Sequence, residues 1–222
     1  MVQFRAGALE QAVDEVLRDL APDTMAAPRE ALLRYVGSLA RFGAHTDLVG
    51  ARTPGALVEI ALADALVLAR HAELVTGPAW EVGAGGASLL VPLALLDPAL
   101  TGCLVEPRQK RATFLRLAIG QLGLGARLTV EQQRVDPENP PRAVAGLVLG
   151  RAVFGPESWV PLASTMVRPI GLLVVLGTEA LEPREGLSVA ACERYALPLS
   201  GARRVATWLR RDPGATCPAP SP

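Results

Sequence analysis

A glycine-rich segment between two apolar runs constrains the fold of this chain more than any other feature. Residues 79–88 read Ala-Trp-Glu-Val-Gly-Ala-Gly-Gly-Ala-Ser, and the apolar run Leu-Leu-Val-Pro-Leu-Ala follows at 89–94. The pattern predicts a β-strand that turns sharply into a helix, because Gly83 and Gly85 permit a positive φ and leave space against the main chain. The N-terminus of the following helix offers unpaired N–H groups. Such a turn is typical of a site for a nucleotide-like ligand.

An acidic residue stands at the end of the next apolar run. Residues 102–106 read Gly-Cys-Leu-Val-Glu, so Glu106 follows Gly85 by 21 residues. In a parallel βαβ unit this carboxylate lies at the carboxyl end of the second strand, where it can accept hydrogen bonds from both ribose hydroxyls of an adenosine. The glycines alone also fit a turn of small residues that binds nothing. Glu106 in this register favours a bound adenosine.

The residues around the turn distinguish between adenosine ligands. Turns that bind dinucleotides read Gly-x-Gly-x-x-Gly, and the position of the third glycine is Ser88 here. Glu81 comes two residues before Gly83, and a carboxylate there repels a pyrophosphate but suits a cation. S-adenosylmethionine carries a sulfonium and an ammonium group. We therefore predict a site for this methyl donor rather than for a nicotinamide cofactor.

Composition narrows the class of protein. With 222 residues, half of them hydrophobic, the chain can bury a sizeable core as one domain with an appended segment. No stretch approaches about 18 uncharged apolar residues and residues 1–5 lack a signal-peptide core, so we expect a soluble cytoplasmic protein with no membrane segment. Cys103, Cys192 and Cys217 form no Cys-x-x-Cys motif, and His45 and His71 have no partners at ligand spacing. We expect neither a disulfide framework nor a metal site.

Hydrophobic periodicity divides the chain into three regions. Helical spacing of apolar residues predicts helices at 9–20, 28–42 and 54–74, and residues 1–74 form a predicted N-terminal helical extension. Residues 213–222, with four prolines and no periodicity, are expected to form a disordered tail.

The region between them, residues 75–212, alternates strands with helices. Predicted strands lie at 79–83, 102–106, 127–131, 145–150 and 171–177, and predicted helices at 88–96, 107–121 and 156–167. The alternation predicts an α/β fold with a doubly wound, mostly parallel sheet. Apolar runs at 187–199 and 205–209 can add an antiparallel edge to it.

Five short motifs resemble, in order and spacing, those of one known family. The family's Asp-Val-Gly-Ser-Gly-Ala-Gly-Phe-Pro-Gly-Ile-Pro-Leu-Ala aligns without a gap to residues 81–94. Residues 106–116, Glu-Pro-Arg-Gln-Lys-Arg-Ala-Thr-Phe-Leu-Arg, resemble its acidic ribose-binding residue and Lys-Lys/Arg-x-x-Phe-Leu helix. Arg-Val-Asp at 134–136, Gly-Arg-Ala-Val at 150–153 and Asp-Ala-Leu at 64–66 are similar to its Arg-x-Glu, Ser-Arg-Ala-Val and Asp-Ser-Leu. The family is that of the bacterial small-subunit rRNA guanine-N7 methyltransferases, once called glucose-inhibited division protein B.

The resemblance implies a function and its residues. It implies the class I S-adenosylmethionine-dependent methyltransferase (Rossmann-like) fold and methylation of N7 of a guanine in 16S rRNA. The partner is then 16S rRNA or the small ribosomal subunit, and we expect a monomer. The residues implied to hold the cofactor are Gly83, Gly85, Ser88 and Glu106, with Val135 and Asp136 beside its adenine.

Arg151 is the candidate catalytic residue, next to the target base at the end of a strand. Its alternative role is to tie down the sheet edge by pairing with a carboxylate. No general base is expected, because guanine N7 has an in-plane lone pair and no proton to lose. The protein must supply alignment and an environment that tolerates charge on the base.

The sequence departs from the family pattern at positions expected to contact RNA or the methionine end of the cofactor. Phe-Pro-Gly becomes Ser88-Leu89-Leu90, and the third glycine becomes Ala87. Elsewhere an Asn becomes Gly43, an Arg-His pair becomes Ile60-Ala61, and a Lys becomes Leu176. Two further hypotheses therefore stay open: a relative without turnover that binds RNA or protein, and a methyltransferase redirected to a small molecule.

Charge and aromatic content bear on RNA binding. The formal net charge is zero, although RNA binding favours an excess of positive charge. The basic residues fall into two clusters, Arg108, Lys110, Arg111 and Arg116, and Arg203, Arg204, Arg210 and Arg211. Each cluster fits an RNA contact or a merely solvated face. With four Phe, three Trp and two Tyr we expect no aromatic platform for bases, and we assign Leu39 and Phe42 to the core.

Overall fold

The computed structural model describes residues 4–24, 26–43, 48–151 and 153–214. His45, Cys217 and most of the predicted tail lie outside these residues. Pro213 and Gly214, the part of the tail that is described, form a turn after the last strand.

A seven-stranded mixed sheet forms the centre of the protein. Its strands are β1 Ala79–Val82, β2 Gly102–Val105, β3 Leu128–Glu131, β4 Ala145–Gly150, β5 Val167–Gly177, β6 Leu187–Ala196 and β7 Arg203–Arg211. The order across the sheet is β3-β2-β1-β4-β5-β7-β6. The first five strands are parallel, and β7 and β6 form the antiparallel edge that the late apolar runs predicted. The chain order reverses between β1 and β4, and ligands of such sheets bind where this reversal opens a crevice at the carboxyl ends of the strands.

Helices cover both faces of the sheet. The helices that connect its strands are α5 Leu90–Leu96, α6 Gln109–Gln121 and α7 Pro156–Met166. The N-terminal region contains α1 Ala6–Leu20, α2 Ala26–Gly43, α3 Pro54–Val58, a π-helical segment Glu59–Ala63, α4 Asp64–Ala69 and a 3-10 turn Ala72–Leu74. These N-terminal helices, α5 and α6 share one hydrophobic cluster with the sheet, while α7 packs on the other face.

Alternation along each strand separates the two faces. In β4, Leu147 and Leu149 belong to the cluster under the N-terminal helices, whereas Val148 belongs to the cluster under α7. Leu39 is buried in the first cluster, and Phe42 packs edge-on against Phe114 with ring centroids 5.4 Å apart. Both residues are therefore packed in the way that the helical pattern predicted.

Two predicted elements have different bounds. The single helix predicted at 54–74 is interrupted by the π-helical segment, within which the carbonyl of Ile60 accepts a hydrogen bond from the distant Arg151. The strand predicted at 171–177 begins at Val167, directly after α7. A register shift against β4 and a φ of 63° at Ile170 accommodate these extra residues. No helix in the described ranges is long and apolar enough to span a bilayer.

Gly146 provides a test of how tightly β4 packs. A Cβ on Gly146 would lie 1.6 Å from the carbonyl oxygen of Thr76, whereas a Cβ on Gly120 in α6 would meet nothing within 4 Å. We expect Gly146→Ala to lower the free energy of unfolding by about 3 kcal/mol, because β4 must move away from the segment before β1. Gly120→Ala, the control, should raise it by about 0.8 kcal/mol through helix propensity. Denaturant unfolding measures both, and native stability in Gly146→Ala would contradict the packing.

Candidate functional site

The turn between β1 and α5 has the backbone that its glycines predicted. Gly83 and Gly85 have φ values of 65° and 66°. A Cβ on Gly83 would lie 2.5 Å from a methyl carbon of Val153, so this glycine admits the segment after β4. A Cβ on Gly85 would approach only the carbonyl oxygen of Gly83, at 3.9 Å. Gly83 is therefore required by packing, and Gly85 keeps space open beside the turn.

That space is a cavity of about 430 Å³ at the carboxyl ends of β1, β2 and β4. It lies at the reversal of strand order and falls within the roughly 300–1,000 Å³ of small-molecule sites. The turn residues 83–87 form one wall, and Leu48, Val49 and Ile60 from the N-terminal region form another. The remaining walls come from the segments that follow β2, β3 and β4.

Glu106 is buried at the edge of this cavity and bridges two of its walls. Its Oε2 accepts a hydrogen bond from the backbone N–H of Gly85, and its Oε1 accepts one from that of Arg108, both at 2.8 Å between nitrogen and oxygen. A carboxylate oxygen can accept more than one hydrogen bond. Glu106 can thus hold the turn and still receive the hydroxyls of a ribose, as its predicted role requires.

Glu81 and Ser88 accept hydrogen bonds from backbone amides at the start of α5. The carboxylate of buried Glu81 accepts hydrogen bonds from Leu89 N at 2.8 Å, from Leu90 N at 3.0 Å and from the Ser88 hydroxyl. The Ser88 Oγ in turn accepts from Leu90 N at 3.0 Å and Val91 N at 3.2 Å. Ser88, predicted to contact the cofactor, is fully buried and is absent from the cavity lining. A serine before an apolar helix is also a capping signal, and this is the role that its contacts describe.

The segment after β3 brings one of its two predicted residues to the cavity. Val135 is buried and lines the cavity together with Gln133 and Arg134. Asp136 is exposed and is not part of the lining; its Oδ1 accepts a hydrogen bond from the backbone N–H of Glu138 at 3.0 Å. Val135 is therefore the member of the pair that a bound adenine can contact.

Arg151 lines the cavity and ties three segments together. Its Nη1 donates to the carbonyl oxygen of Ile60 at 2.7 Å and to Asp64 Oδ2 at 3.1 Å, and its Nη2 donates to the carbonyl oxygen of Ala87 at 2.6 Å. Arg151 thus pairs with a carboxylate, as its alternative role predicts, and it also lines the cavity. These bonds use both hydrogens of Nη1 and one of Nη2, which leaves the Nε hydrogen and the second Nη2 hydrogen for other partners.

Asp64 links Arg151 to the antiparallel edge of the sheet. This carboxylate is buried, its Oδ1 accepts from the hydroxyl of Tyr195 at 2.7 Å, and its Oδ2 lies 3.7 Å from Nη1 of Arg204. Burial, together with the negative charge of Asp64, raises the pKa of Tyr195 well above its usual range, so that Tyr195 stays a donor. The sequence singled out Asp64 only within a motif. Its partners are too far along the chain for spacing to reveal them.

The first basic cluster divides between the cavity and the surface. Arg108 and Arg111 line the cavity, while Lys110 and Arg116 lie exposed on α6. The second cluster lies on β7, where Arg211 is buried and donates to the carbonyl oxygen of Val167 at 2.7 Å. Neither cluster is a uniform face for RNA.

The sequence model of GidB, rRNA small subunit methyltransferase G, matches residues 29–192. The chain belongs to this family. It is 31% identical to ribosomal RNA small subunit methyltransferase G of Anaeromyxobacter sp. strain Fw109-5 over 92% of this chain and 97% of that protein. It is 29% identical to the Bordetella avium strain 197N protein of the same name over 93% and 96% of the two chains. The family predicted from the motifs is confirmed.

Solved structures of low sequence identity share the fold. An O-methyltransferase family protein from Burkholderia thailandensis superposes with a TM-score of 0.55 and 16% identity, over 93% of this chain and 69% of that one. The P. horikoshii protein TYW2, solved in complex with MeSAdo, superposes with a TM-score of 0.52 and 18% identity, over 68% and 62%. The predicted class I methyltransferase fold is confirmed.

Positions at which the chain departs from the GidB pattern in the turn are packed into the core. Leu89 and Leu90, in place of Pro and Gly, are buried in the first hydrophobic cluster. Ala87 is also buried, and its carbonyl oxygen is the acceptor for Arg151. The apolar residues at these positions thus contribute to the first hydrophobic cluster.

Departures elsewhere lie in different surroundings. Ile60 lines the cavity, and its neighbour Ala61 is buried. Leu176 pairs with Ala206 in the sheet and lines a small adjoining cavity, while Gly43 is the exposed last residue of α2. Asp47, which stands where the family pattern has a second Asn, lies outside the described residues. No group of His, Cys, Asp or Glu side chains among the described residues is arranged to hold a metal ion.

Glu81 makes stability depend on pH in a defined direction. Burial raises its pKa above the value of 4.5 that an exposed carboxyl has, against the effect of the hydrogen bonds from Ser88, Leu89 and Leu90. A raised pKa in the folded state means that the stability from this group is complete below about pH 4.5 and is lost as pH rises through the folded pKa.

The matched variant is Glu81→Gln, which cannot ionise. The free energy of unfolding of the native protein minus that of Glu81→Gln should fall as pH rises above about 4.5, as measured by denaturant titration over a range of pH that begins there. A difference that stays constant across this range would contradict the direction given for Glu81.

Proposed function

We propose that this protein transfers a methyl group from S-adenosylmethionine to N7 of a guanine in 16S rRNA, presented as RNA or within the small ribosomal subunit. Membership of the GidB family, whose relatives are named ribosomal RNA small subunit methyltransferases G, supports the reaction and the substrate. The observation that carries the proposal is the buried Glu106 carboxylate bonded to the Gly85 turn at the mouth of a cavity.

The residues around the cavity fit the adenosine half of this cofactor. Glu106 offers acceptors for the ribose hydroxyls, Gly85 leaves the space that a side chain would fill, and Val135 offers an apolar surface to adenine. In this proposal Gly83 shapes the turn, and Ser88 and Asp136 act at a distance from the ligand. S-adenosylmethionine, when bound, would supply a methyl group from its sulfonium to the lone pair of N7 and would leave as a neutral thioether.

The charge around Arg151 matters for this chemistry. Methylation at N7 places a positive charge on the base, and an uncompensated guanidinium next to it opposes that change. The carboxylate of Asp64 at 3.1 Å offsets the charge of Arg151. The hydrogens of Arg151 that bond to no described residue can donate to guanine O6, which aligns the base and leaves N7 unobstructed.

Small-subunit particles from a strain without its own enzyme test the proposal. With S-adenosylmethionine and the native protein, we expect N7-methylguanine to appear in their 16S rRNA up to about one per particle, read by mass spectrometry of RNA digests. No product from a protein that binds the cofactor would contradict the ribosomal substrate and favour a small-molecule substrate. If the native protein does not bind S-adenosylmethionine, the result would favour the hypothesis of a relative without turnover.

Glu106 tests the cofactor site. Glu106→Ala should weaken the binding of S-adenosylmethionine by about 1.5–3 kcal/mol, since it removes charge-assisted hydrogen bonds. Glu138→Ala removes an exposed carboxylate outside the cavity lining and should leave affinity unchanged. Isothermal titration measures both dissociation constants. Equal affinities for Glu106→Ala and the native protein would exclude the ribose contact.

Two roles of Arg151 must be distinguished by experiment: holding segments of the chain together and aligning the target base. Arg151→Met alone removes the nearer of the two guanidinium groups beside the buried Asp64 and leaves Arg204 at 3.7 Å, so it should cost about 3 kcal/mol of stability. The double change Arg151→Met with Asp64→Asn removes both charges and should recover most of that loss, because a neutral pair of similar size is tolerated.

Turnover of the double variant then decides the role of Arg151. If the guanidinium aligns the base, the rate of methylation stays roughly a hundredfold below that of the native protein, although stability and cofactor affinity recover. A double variant that regains both stability and turnover would leave Arg151 as a tie between segments and nothing more.

A further inference from the structure

An exposed aromatic ring stands at the mouth of the cavity. Phe154 is 36% exposed and lines the cavity together with Arg151, three residues before it. The other large hydrophobic side chains exposed to this extent in the described residues are aliphatic: Leu117, Ile170 and Val189. A single exposed apolar side chain is common on protein surfaces, and what distinguishes Phe154 is that its ring lines the cavity beside the glycine turn.

Packing beneath Phe154 fixes the segment that carries it. A small cavity of about 30 Å³ adjoins the ring and is lined by Gly150, Pro156, Trp159 and Leu176, at the carboxyl ends of β4 and β5. A Cβ on Gly150 would lie 2.7 Å from the ring of Trp159. The lack of a side chain at Gly150 therefore allows the indole ring to pack directly beneath the segment that carries Phe154. Pro156 begins α7 directly afterwards. Phe154 therefore stands between two cavities on a supported segment.

The position of Phe154 defines the side from which a second molecule approaches. The glycine turn and Glu106 form the walls of the cavity on the side of β1 and β2, whereas Arg151, Val153 and Phe154 follow β4. An acceptor base that meets a ligand held by the turn and Glu106 can lie against the residues that follow β4. Phe154 is the aromatic residue in the cavity lining on that side.

Stacking suits the chemistry of the target. The N7 lone pair lies in the plane of guanine, so a ring against the base face leaves N7 open. Base stacking on an aromatic side chain strengthens binding roughly 10- to 100-fold. The base becomes cationic on methylation, and a cation is attracted to an aromatic face, so the contact strengthens as the reaction proceeds.

We propose that Phe154 stacks on the target guanine and holds its N7 edge towards the cofactor cavity. The assignment rests on the proposed function and adds the residue that orients the acceptor. It needs one ring and one base, and it is compatible with the absence of an extended aromatic platform that composition predicted.

Three substitutions distinguish stacking from apolar packing. Phe154→Ala removes the ring, Phe154→Leu keeps apolar bulk without a π face, and Phe154→Trp keeps a π face. We expect kcat/KM for small-subunit particles to fall roughly 10- to 100-fold in the Ala and Leu variants and to stay within about threefold in the Trp variant. The Kd for S-adenosylmethionine should change by less than about twofold in all three, and Tm by only a few degrees.

The possible outcomes separate this assignment from the proposed function. Full activity of Phe154→Leu, or of Phe154→Ala, in the presence of an active native protein would overturn the stacking role alone. Equal loss in the Trp, Leu and Ala variants with a matching drop in Tm would also overturn it, because it would show a packing role. A native protein that binds S-adenosylmethionine but does not methylate particles would overturn the proposed function, and the assignment of Phe154 with it.

Discussion

The path of the turn between β1 and α5 is the constraint on which the candidate site depends. Three charged residues from three strands hold it: Glu106 accepts from the amide of Gly85, Arg151 donates to the carbonyl of Ala87, and Glu81 accepts from the first amides of α5. Each of these bonds joins two groups of the protein, so the chain's own contacts hold the path of the turn. A preformed site loses little conformational entropy on binding, which favours affinity for a small cofactor.

The same bonds join parts of the chain that the sequence separates. Arg151, directly after β4, donates hydrogen bonds to Ile60 in the π-helical segment and to Asp64 at the start of α4. Asp64 also accepts a hydrogen bond from the hydroxyl of Tyr195 on β6. Ile60 from the N-terminal region also lines the cavity. The N-terminal region thus contributes a wall of the site, and Arg151 joins this region to the turn by hydrogen bonds.

Much of the fold could be predicted because it follows from short-range patterns. Alternating apolar runs located the strands, and Glu106 could be assigned because the length of a βαβ unit fixes where its second strand ends. Ser88 was harder, since a serine before an apolar helix fits a ligand contact and a helix cap equally. In the structure it is buried and accepts hydrogen bonds from the first amides of α5.

Long-range contacts set the limit of sequence reasoning. The partnership of Arg151 with Asp64 spans 87 residues and leaves no periodic signal in the sequence. The helix predicted at 54–74 is broken at the segment to which Arg151 donates a hydrogen bond, and the exposure of Phe154 depends on how the segment after β4 packs. Pattern rules apply to helices and strands, whereas these features belong to the connections between them.

Amide hydrogen exchange with and without S-adenosylmethionine tests the central claim most directly, because it reports on the turn itself. We predict slower exchange of the amides at 83–87, 106–108 and 133–135 when the cofactor is present, with exchange in β6 and β7 unchanged. Unaltered exchange throughout the turn at saturating cofactor, or protection confined to other segments, would contradict the assignment of this cavity as the methyl-donor site.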